Sequence, residues 1–274
     1  MDLIKVDLVE AKTVITAHLR NIKVVSPFMP SQPIVPPNMS AVLAHQLTDD
    51  DLLLPLIDAP SDRPYVIAQL GQSLDGRIAT PTGESRWING KSALDHVHRM
   101  RSHVDAVIVG IGTVLADNPR LTVRRVPGRN PARVIIDPNG KLTPDVHCLA
   151  DDGTRCIVVR GDDRPVIHGA ETLVVEQNAD GLAPRAIVQA LFKRGLRKIL
   201  VEGGASTVSR FIDDAVLDRL HILTAPVILG SGVTGLSLAP IAKLEHALRP
   251  PTRVHVLDDG DVVFDCDLSR KSEG

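Results

Sequence analysis

The sequence is poor in aromatic side chains, with one Trp, one Tyr and four Phe in 274 residues. Single-stranded nucleic acid needs π faces on which successive bases can stack, so a platform of that kind is excluded. Cysteine is equally scarce. Cys148, Cys156 and Cys266 show neither a close pair nor zinc-ligand spacing, which excludes a disulfide framework and points to a reducing, cytoplasmic compartment. No uncharged apolar run approaches the length of a membrane span, and the opening MDLIKVDLVEAK mixes acids into its apolar residues, so neither a span nor a secretion signal is expected. A formal net charge of -2 gives no general attraction to polyanions. Nucleic acid and membrane are therefore not expected partners. Also missing are the HxE and PCxxC ligands of a nucleoside deaminase, a GxSxG serine elbow and a GxxxxGK(S/T) phosphate loop. Hydride transfer fits these absences, because the cofactor brings the reactive atom and the protein mainly orients it.

What is present is organised around Lys198–Phe211, KILVEGGASTVSRF. The apolar run Ile199–Val201 ends at Glu202, Gly203 and Gly204 follow, and small residues open a helix. Strand, tight turn and helix start form the geometry in which backbone N–H groups and a helix dipole meet a phosphate. The same pattern also serves a turn needed for packing alone. A second candidate is the strand Ala106–Val109, leading into GIGTVLADNP. It has GxG without the full dinucleotide fingerprint and no acid at the appropriate later strand end, which excludes an ordinary Rossmann unit. Pro119 stops the following helix and throws Asn118, Arg120 and Arg124 onto a loop. The cluster Arg120, Arg124, Arg125 and Arg129 is either a solvated positive face or a source of bidentate donors for a phosphate monoester.

Further strands are predicted at Tyr65–Leu70, at Ala132–Ile136 ending in Asp137-Pro138, at Arg155–Val159 ending at Arg160, and at Thr172–Val175. Ser92 and Asp95 make a capping box for a helix on which Arg101, at the edge of the apolar stripe, reads as a snorkelling arginine. Pro184 starts another helix, and Arg253–Leu257 with Asp261–Asp265 reads as a hairpin. Alternating strands and helices ending in antiparallel strands imply a mixed sheet covered on both faces. Its ligand-binding edge would gather Gly71–Asp75, Gly110–Asp117, Asp137 and Glu202–Ser206. Residues 1–60 read as an extension without chemistry of its own, packed on the main domain of residues 61–274 or on a second subunit. It would contain a strand or hairpin in Ile4–Ile15, a proline-rich stretch at Ser26–Asn38, a Ser40-capped helix, a helix from Asp49 to Ile57, and His18 and His45 as structural histidines.

The blocks SLDGRIA, GESRWI, VDAVIVGIGTVLADNP, LTVR, RVIID and ILVEGGAS, in that order over about residues 63–268, resemble the reductase domain of the riboflavin-pathway deaminase/reductase proteins, which is related in fold to dihydrofolate reductase. The resemblance implies a three-layer α/β/α fold whose mixed, mostly parallel central sheet ends in antiparallel strands. It implies NADPH-dependent reduction of 5-amino-6-(5-phosphoribosylamino)uracil to the ribitylamino product, without a metal. Substrate contacts would fall to Ser85, Arg101, Leu121, Arg124 and Glu202, with Arg101 and Arg124 on the phosphate, against the snorkelling reading of Arg101. Cofactor contacts would come from Gly71, Trp87, Thr113, Asp117, Pro138 and the turn and helix start Gly203, Gly204, Ala205, Ser206 and Thr207, running on to Arg210. Asp117 and Glu202 are the catalytic carboxyl candidates, and Asp75 stabilises its turn. Arg160 is either a donor to the cofactor 2′-phosphate or a solvated strand-end charge. Where many relatives have ADDP this chain has ADNP, with Asn118 keeping hydrogen-bonding capacity and removing a charge. A homodimer is also implied, through the C-terminal strands or the N-terminal arm. Residues 1–60 lack the ligands of the family's zinc deaminase domain, so deamination would fall to a separate protein. That departure leaves open a reductase of another pterin, pyrimidine or dihydrofolate-like substrate, and a non-catalytic nucleotide-binding scaffold.

Overall fold

The computed structural model describes residues 49–162, 169–178 and 181–269. The expected elements in Ile4–Ile15 and after Ser40, the proline-rich stretch, and His18 and His45 lie outside the described residues. The main sheet is formed by β1 (Tyr65–Ser73), β3 (Ala106–Gly110), β4 (Ala132–Ile136), β5 (Cys156–Arg160), β6 (Glu171–Val174), β9 (Lys198–Glu202), β10 (Arg219–Ala225), β12 (Thr252–Val256) and β13 (Val262–Asp267), while β2 (Arg77–Ala79) with β11 (Val233–Thr234) and β7 (Gln177–Asn178) with β8 (Gly181–Leu182) make two short antiparallel pairs. The order across the main sheet is β12-β13-β10-β1-β9-β3-β4-β5-β6. From β10 to β6 neighbours are parallel, while β13 runs antiparallel to both β10 and β12. Helices cover both faces of this sheet, giving the three-layer α/β/α fold of the dihydrofolate-reductase type.

Burial on two faces explains why the central strands are continuous apolar runs without polar alternation. On one face, Ile187, Val188 and Leu191 of α4 (Pro184–Lys193) and Val208 and Phe211 of α5 (Ala205–Asp213) pack on Val66, Ala68, Ile108 and Val201. On the other, Leu53 and Leu56 of α1 (Asp49–Ile57), Met100 of α2 (Lys91–Ser102) and Val114 of α3 (Ile111–Asp117) pack on Ile67, Val107, Val109 and Leu200. Successive strand residues thus feed opposite cores, as a period of two requires. The helix α1, read from sequence within the extension, contributes Leu52, Leu53 and Leu56 to the buried core of the domain.

Two local expectations are corrected. The helix α2 is not closed by a Ser92–Asp95 box. Gly90 is its N-cap and no side chain caps it locally. Asp259 accepts the Ser92 N–H at 2.7 Å and Asp261 accepts the Gly90 N–H at 2.8 Å, so the orphan donors are satisfied from the β12–β13 connection. Asp95 instead accepts from Arg125 at 2.5 Å. Arg160 is not a solvated strand-end charge either. It is buried, with Nη2 3.7 Å from the fully buried carboxylate of Asp137, which also accepts the N–H groups of Lys141 and Leu142.

Candidate active site

Sheet order fixes where the site lies. The strands β3 and β9 are neighbours, but after β3 the chain goes through α3 to β4 on one side, and after β9 it goes through α5 to β10 on the other. Connections diverging from adjacent parallel strands open a crevice beyond their C-terminal ends. A cleft of about 530 Å³ occupies that place. Its floor is Gly110–Thr113 at the start of α3 and Gly204–Thr207 at the start of α5, and its walls include Ile136, Pro138, Leu182 and Ile187. Ser85, Asp117, Arg210 and the short antiparallel pair β2 (Arg77–Ala79) and β11 (Val233–Thr234) complete the lining.

The two glycine-bearing turns are tied together. Thr113 Oγ1 accepts the Gly204 N–H at 2.6 Å. A Cβ on Gly110 would stand 2.5 Å from Thr207 Oγ1, so side-chain-free backbone is needed for the helices to start this close. Gly203 has φ 135°, a conformation that L side chains rarely adopt. Gly204 caps α5 without a side chain, and the N–H groups of Ala205 and Ser206 meet no partner among the described residues. Open N–H groups and the positive end of the α5 dipole therefore face the cleft, which is what a pyrophosphate requires. These residues fit a dinucleotide. Arg210, whose Nη2 donates to Leu182 O at 2.9 Å, is a cation that lines the cleft.

Glu202, the last residue of β9, and Arg101 of α2 stand outside the cleft lining. Both are buried, and they form a bidentate pair, Nε to Oε1 at 2.6 Å and Nη2 to Oε2 at 2.5 Å, while Nη1 donates to Thr122 O at 3.0 Å. Burial alone would lower the Arg101 pKa, but the Glu202 charge and hydrogen bond raise it. Three of the five guanidinium N–H groups are thus engaged inside the protein. Arg101 is neither a snorkelling side chain nor a free cation. Arg124 differs. Its side chain is exposed and makes no hydrogen bond or ion pair among the described residues. Partial burial and the charges of Arg101, Arg120 and Arg125 lower its pKa, yet an arginine stays protonated, so a concentrated positive field remains there. Leu121 is buried with φ 58° and Asn118 has φ 43°. These two left-handed residues bend the chain after α3 and deliver Arg124 back toward α2. Asparagine suits such a C-cap, and Asn118 Oδ1 also accepts the His147 N–H at 2.7 Å.

Ser85 Oγ stands 3.4 Å from Asp117 Oδ1 at the mouth. Ser85, Thr113, Asp117, Pro138, Gly204, Ala205, Ser206 and Thr207 line the cleft, whereas Gly71, Trp87, Arg101, Leu121, Arg124, Glu202 and Gly203 do not. Gly71 carries no Cβ because one would collide with Asn89 Oδ1. Trp87 is 80% exposed with φ 74°, an unusual backbone for so bulky a residue. Asp75 braces the adjoining turn, accepting from Ser73 Oγ and from the Leu229 and Gly230 N–H groups at 2.7, 3.0 and 2.8 Å. Sequence reading did not single out His98, whose Nδ1 accepts the Arg124 N–H at 3.0 Å. Its position three before Arg101, on one face of α2, was the available signal.

The model of the RibD C-terminal domain family matches residues 64–256. The chain is 36% identical over 176 residues, 61% of its length and 80% of the relative's, to the 2,5-diamino-6-ribosylamino-4(3H)-pyrimidinone 5′-phosphate reductase of Methanothermobacter thermautotrophicus. It is 31% identical over 210 residues to the riboflavin biosynthesis protein RibD of Aquifex aeolicus, covering 74% of this chain but only 58% of that protein. Among solved structures, a diaminohydroxyphosphoribosylaminopyrimidine deaminase/5-amino-6-(5-phosphoribosylamino)uracil reductase from Thermotoga maritima superposes with a TM-score of 0.65 at 29% identity, over 79% of this chain and 59% of that one. With a family model spanning most of the chain and this fold beneath it, the protein belongs to the RibD C-terminal domain family.

Proposed function

We propose that the chain is an NADPH-dependent reductase of a phosphoribosylamino-pyrimidine, converting the ribosylamino group to a ribitylamino group. The observation that carries this reading is the cleft at the β3/β9 divergence with open helix N–H groups on its floor, together with the Arg101–Glu202 pair where β9 ends and Arg124, which lies within the field of that pair. NADPH, when bound, supplies the hydride. Thr113, Gly203, Gly204, Ala205, Ser206 and Thr207 would hold its pyrophosphate, and Arg210 would take the 2′-phosphate, a role for which the buried, Asp137-paired Arg160 is poorly suited. Arg124 would grip the substrate phosphate, reinforced by Arg120 and by the two guanidinium N–H groups of Arg101 that Glu202 and Thr122 leave over.

Holding both ends of the reacting pair reduces the entropic barrier to hydride transfer, so orientation and electrostatics are the main contribution of the protein. Glu202, fixed by two hydrogen bonds, acts by orienting and polarising the substrate. Asp117, exposed beside Ser85, is the carboxyl able to exchange a proton with solvent water. The reading extends to assembly as a homodimer. Val254, Val256 and Phe264 are exposed large apolar residues on adjoining strands, with Val254 and Phe264 in register, and they would be covered by a second copy.

The test is NADPH oxidation with 5-amino-6-(5-phosphoribosylamino)uracil and with its 2-amino counterpart, each with and without the phosphate. Arg124→Ala should raise KM for the phosphorylated forms about 10- to 100-fold, the loss of a charge-assisted bond, and leave the ribosides unchanged. No NADPH oxidation with either pyrimidine would sink the proposal, and equal effects on phosphate and riboside would sink the role of Arg124.

A further inference from the structure

Residues 121–125, LTVRR, belong to no strand, so their backbone groups need other partners. Side chains supply them. Asn130 Oδ1 accepts the Val123 N–H at 2.7 Å, Arg101 Nη1 donates to Thr122 O at 3.0 Å, and His98 Nδ1 accepts the Arg124 N–H at 3.0 Å. His98 and Arg101 are one turn apart on α2, so a single helix face holds this loop in place of a neighbouring strand. We infer that His98 is the positioning residue for Arg124: its Nδ1 lone pair fixes the amide from which the phosphate-gripping guanidinium is launched. This inference rests on the reading of Arg124 as the phosphate anchor.

The chemistry of the place explains why a histidine suits it. The ring is 3% exposed and faces the charges of Arg101, Arg124 and Arg125, with Asp95 the carboxylate nearby. A carboxylate acceptor here would pair with those guanidinium groups and compete with the substrate phosphate. Neutral imidazole accepts the N–H without bringing a competing charge. Burial, then the three arginines, push its pKa down to about 4, so at neutral pH the ring is uncharged. Accepting through Nδ1 requires the proton to sit on Nε2.

The experiment combines variants with spectroscopy of the unaltered protein. His98→Leu should raise KM for the phosphorylated substrate about tenfold, keeping kcat, the KM for NADPH and the KM for the riboside within about twofold. His98→Asn, which offers an amide oxygen near the position of Nδ1, should return KM to within about threefold of the wild type. Long-range proton–nitrogen NMR of the wild type at pH 7 should find His98 as the Nε2–H tautomer, and this readout stands even where the leucine variant fails to fold. An Nδ1–H tautomer, an equal rise in KM for phosphate and riboside, or an asparagine variant no better than leucine would each overturn the inference. Arg124→Ala separates the two levels. If it is phosphate-selective and His98→Leu is not, only the role of His98 falls; if it is not, the phosphate anchor itself falls.

Discussion

Arg101→Met asks whether the guanidinium beside Glu202 is chiefly structural or chiefly a ligand for substrate. Both side chains are nearly out of solvent, 10% and 8% exposed, and joined by two short hydrogen bonds. Methionine fills much of the same volume but leaves the Glu202 carboxylate buried without its cation. Removing one partner of a buried pair costs about 3–5 kcal/mol. For a domain of this size each kcal/mol moves Tm by about 2–4 °C, so the variant should melt about 6–20 °C below the wild type. The double variant Arg101→Met/Glu202→Leu removes both charges and should recover most of that loss, since an apolar replacement of a buried pair is often neutral. Thermal unfolding followed by circular dichroism, with urea titration for the free energy, measures both. A single variant melting within about 2 °C of the wild type would refute the structural assignment. So would a double variant no more stable than the single.

Three further outcomes are expected. Thr113→Val removes the acceptor of the Gly204 N–H and should weaken NADPH binding about 5- to 20-fold by fluorescence titration with little change in substrate KM; an unchanged Kd would contradict the linkage between the two turns. Stability should fall as pH drops from 6.5 to 4, because burial, followed by the nearby arginines, lowers the folded pKa of His98 to about 4, so the unfolded chain takes up a proton that the native ring refuses. The loss is on the order of 3 kcal/mol, with a second loss below about pH 4. There Asp265, whose burial is outweighed by His221 Nε2 3.2 Å away and by hydrogen bonds from Arg219 that together hold it at about 2, begins to favour the unfolded state. A flat urea-unfolding free energy from pH 7 to 4.5 would contradict this account. Val254→Glu with Val256→Glu should convert a dimer to a monomer in sedimentation velocity, and a wild type that is already monomeric at micromolar concentration would remove the proposed interface.

The fold was legible because its signals are local. Apolar runs such as Ala106–Val109, Pro184 at a helix start, and Asp258–Gly260 between two strand patterns mark elements without reference to the rest of the chain. The two glycine-bearing turns were legible for the same reason, and sheet order brings them to one crevice. What sequence could not reveal are partnerships across long separations. Arg101 and Glu202 meet from 101 residues apart, and helical spacing alone put that arginine at the rim of the core. Asp259 and Asp261 satisfy the start of α2 from more than 160 residues away, which made the local Ser92–Asp95 box superfluous. Arg160 shows the same limit, since its buried partner Asp137 lies on another strand end.

The position of β9 has a consequence for how the molecule is made. Its neighbours β1 and β3 both precede it in the chain, yet they are joined only through β9, so the centre of the sheet stays unfilled until about residue 202 has left the ribosome. Until then the apolar edges of β1 and β3 have no hydrogen-bonding partner between them, the condition under which nascent chains are prone to mispair. Joining them requires contacts of long sequence separation, which makes folding slow. The strand that carries Glu202 is thus also the late keystone of assembly.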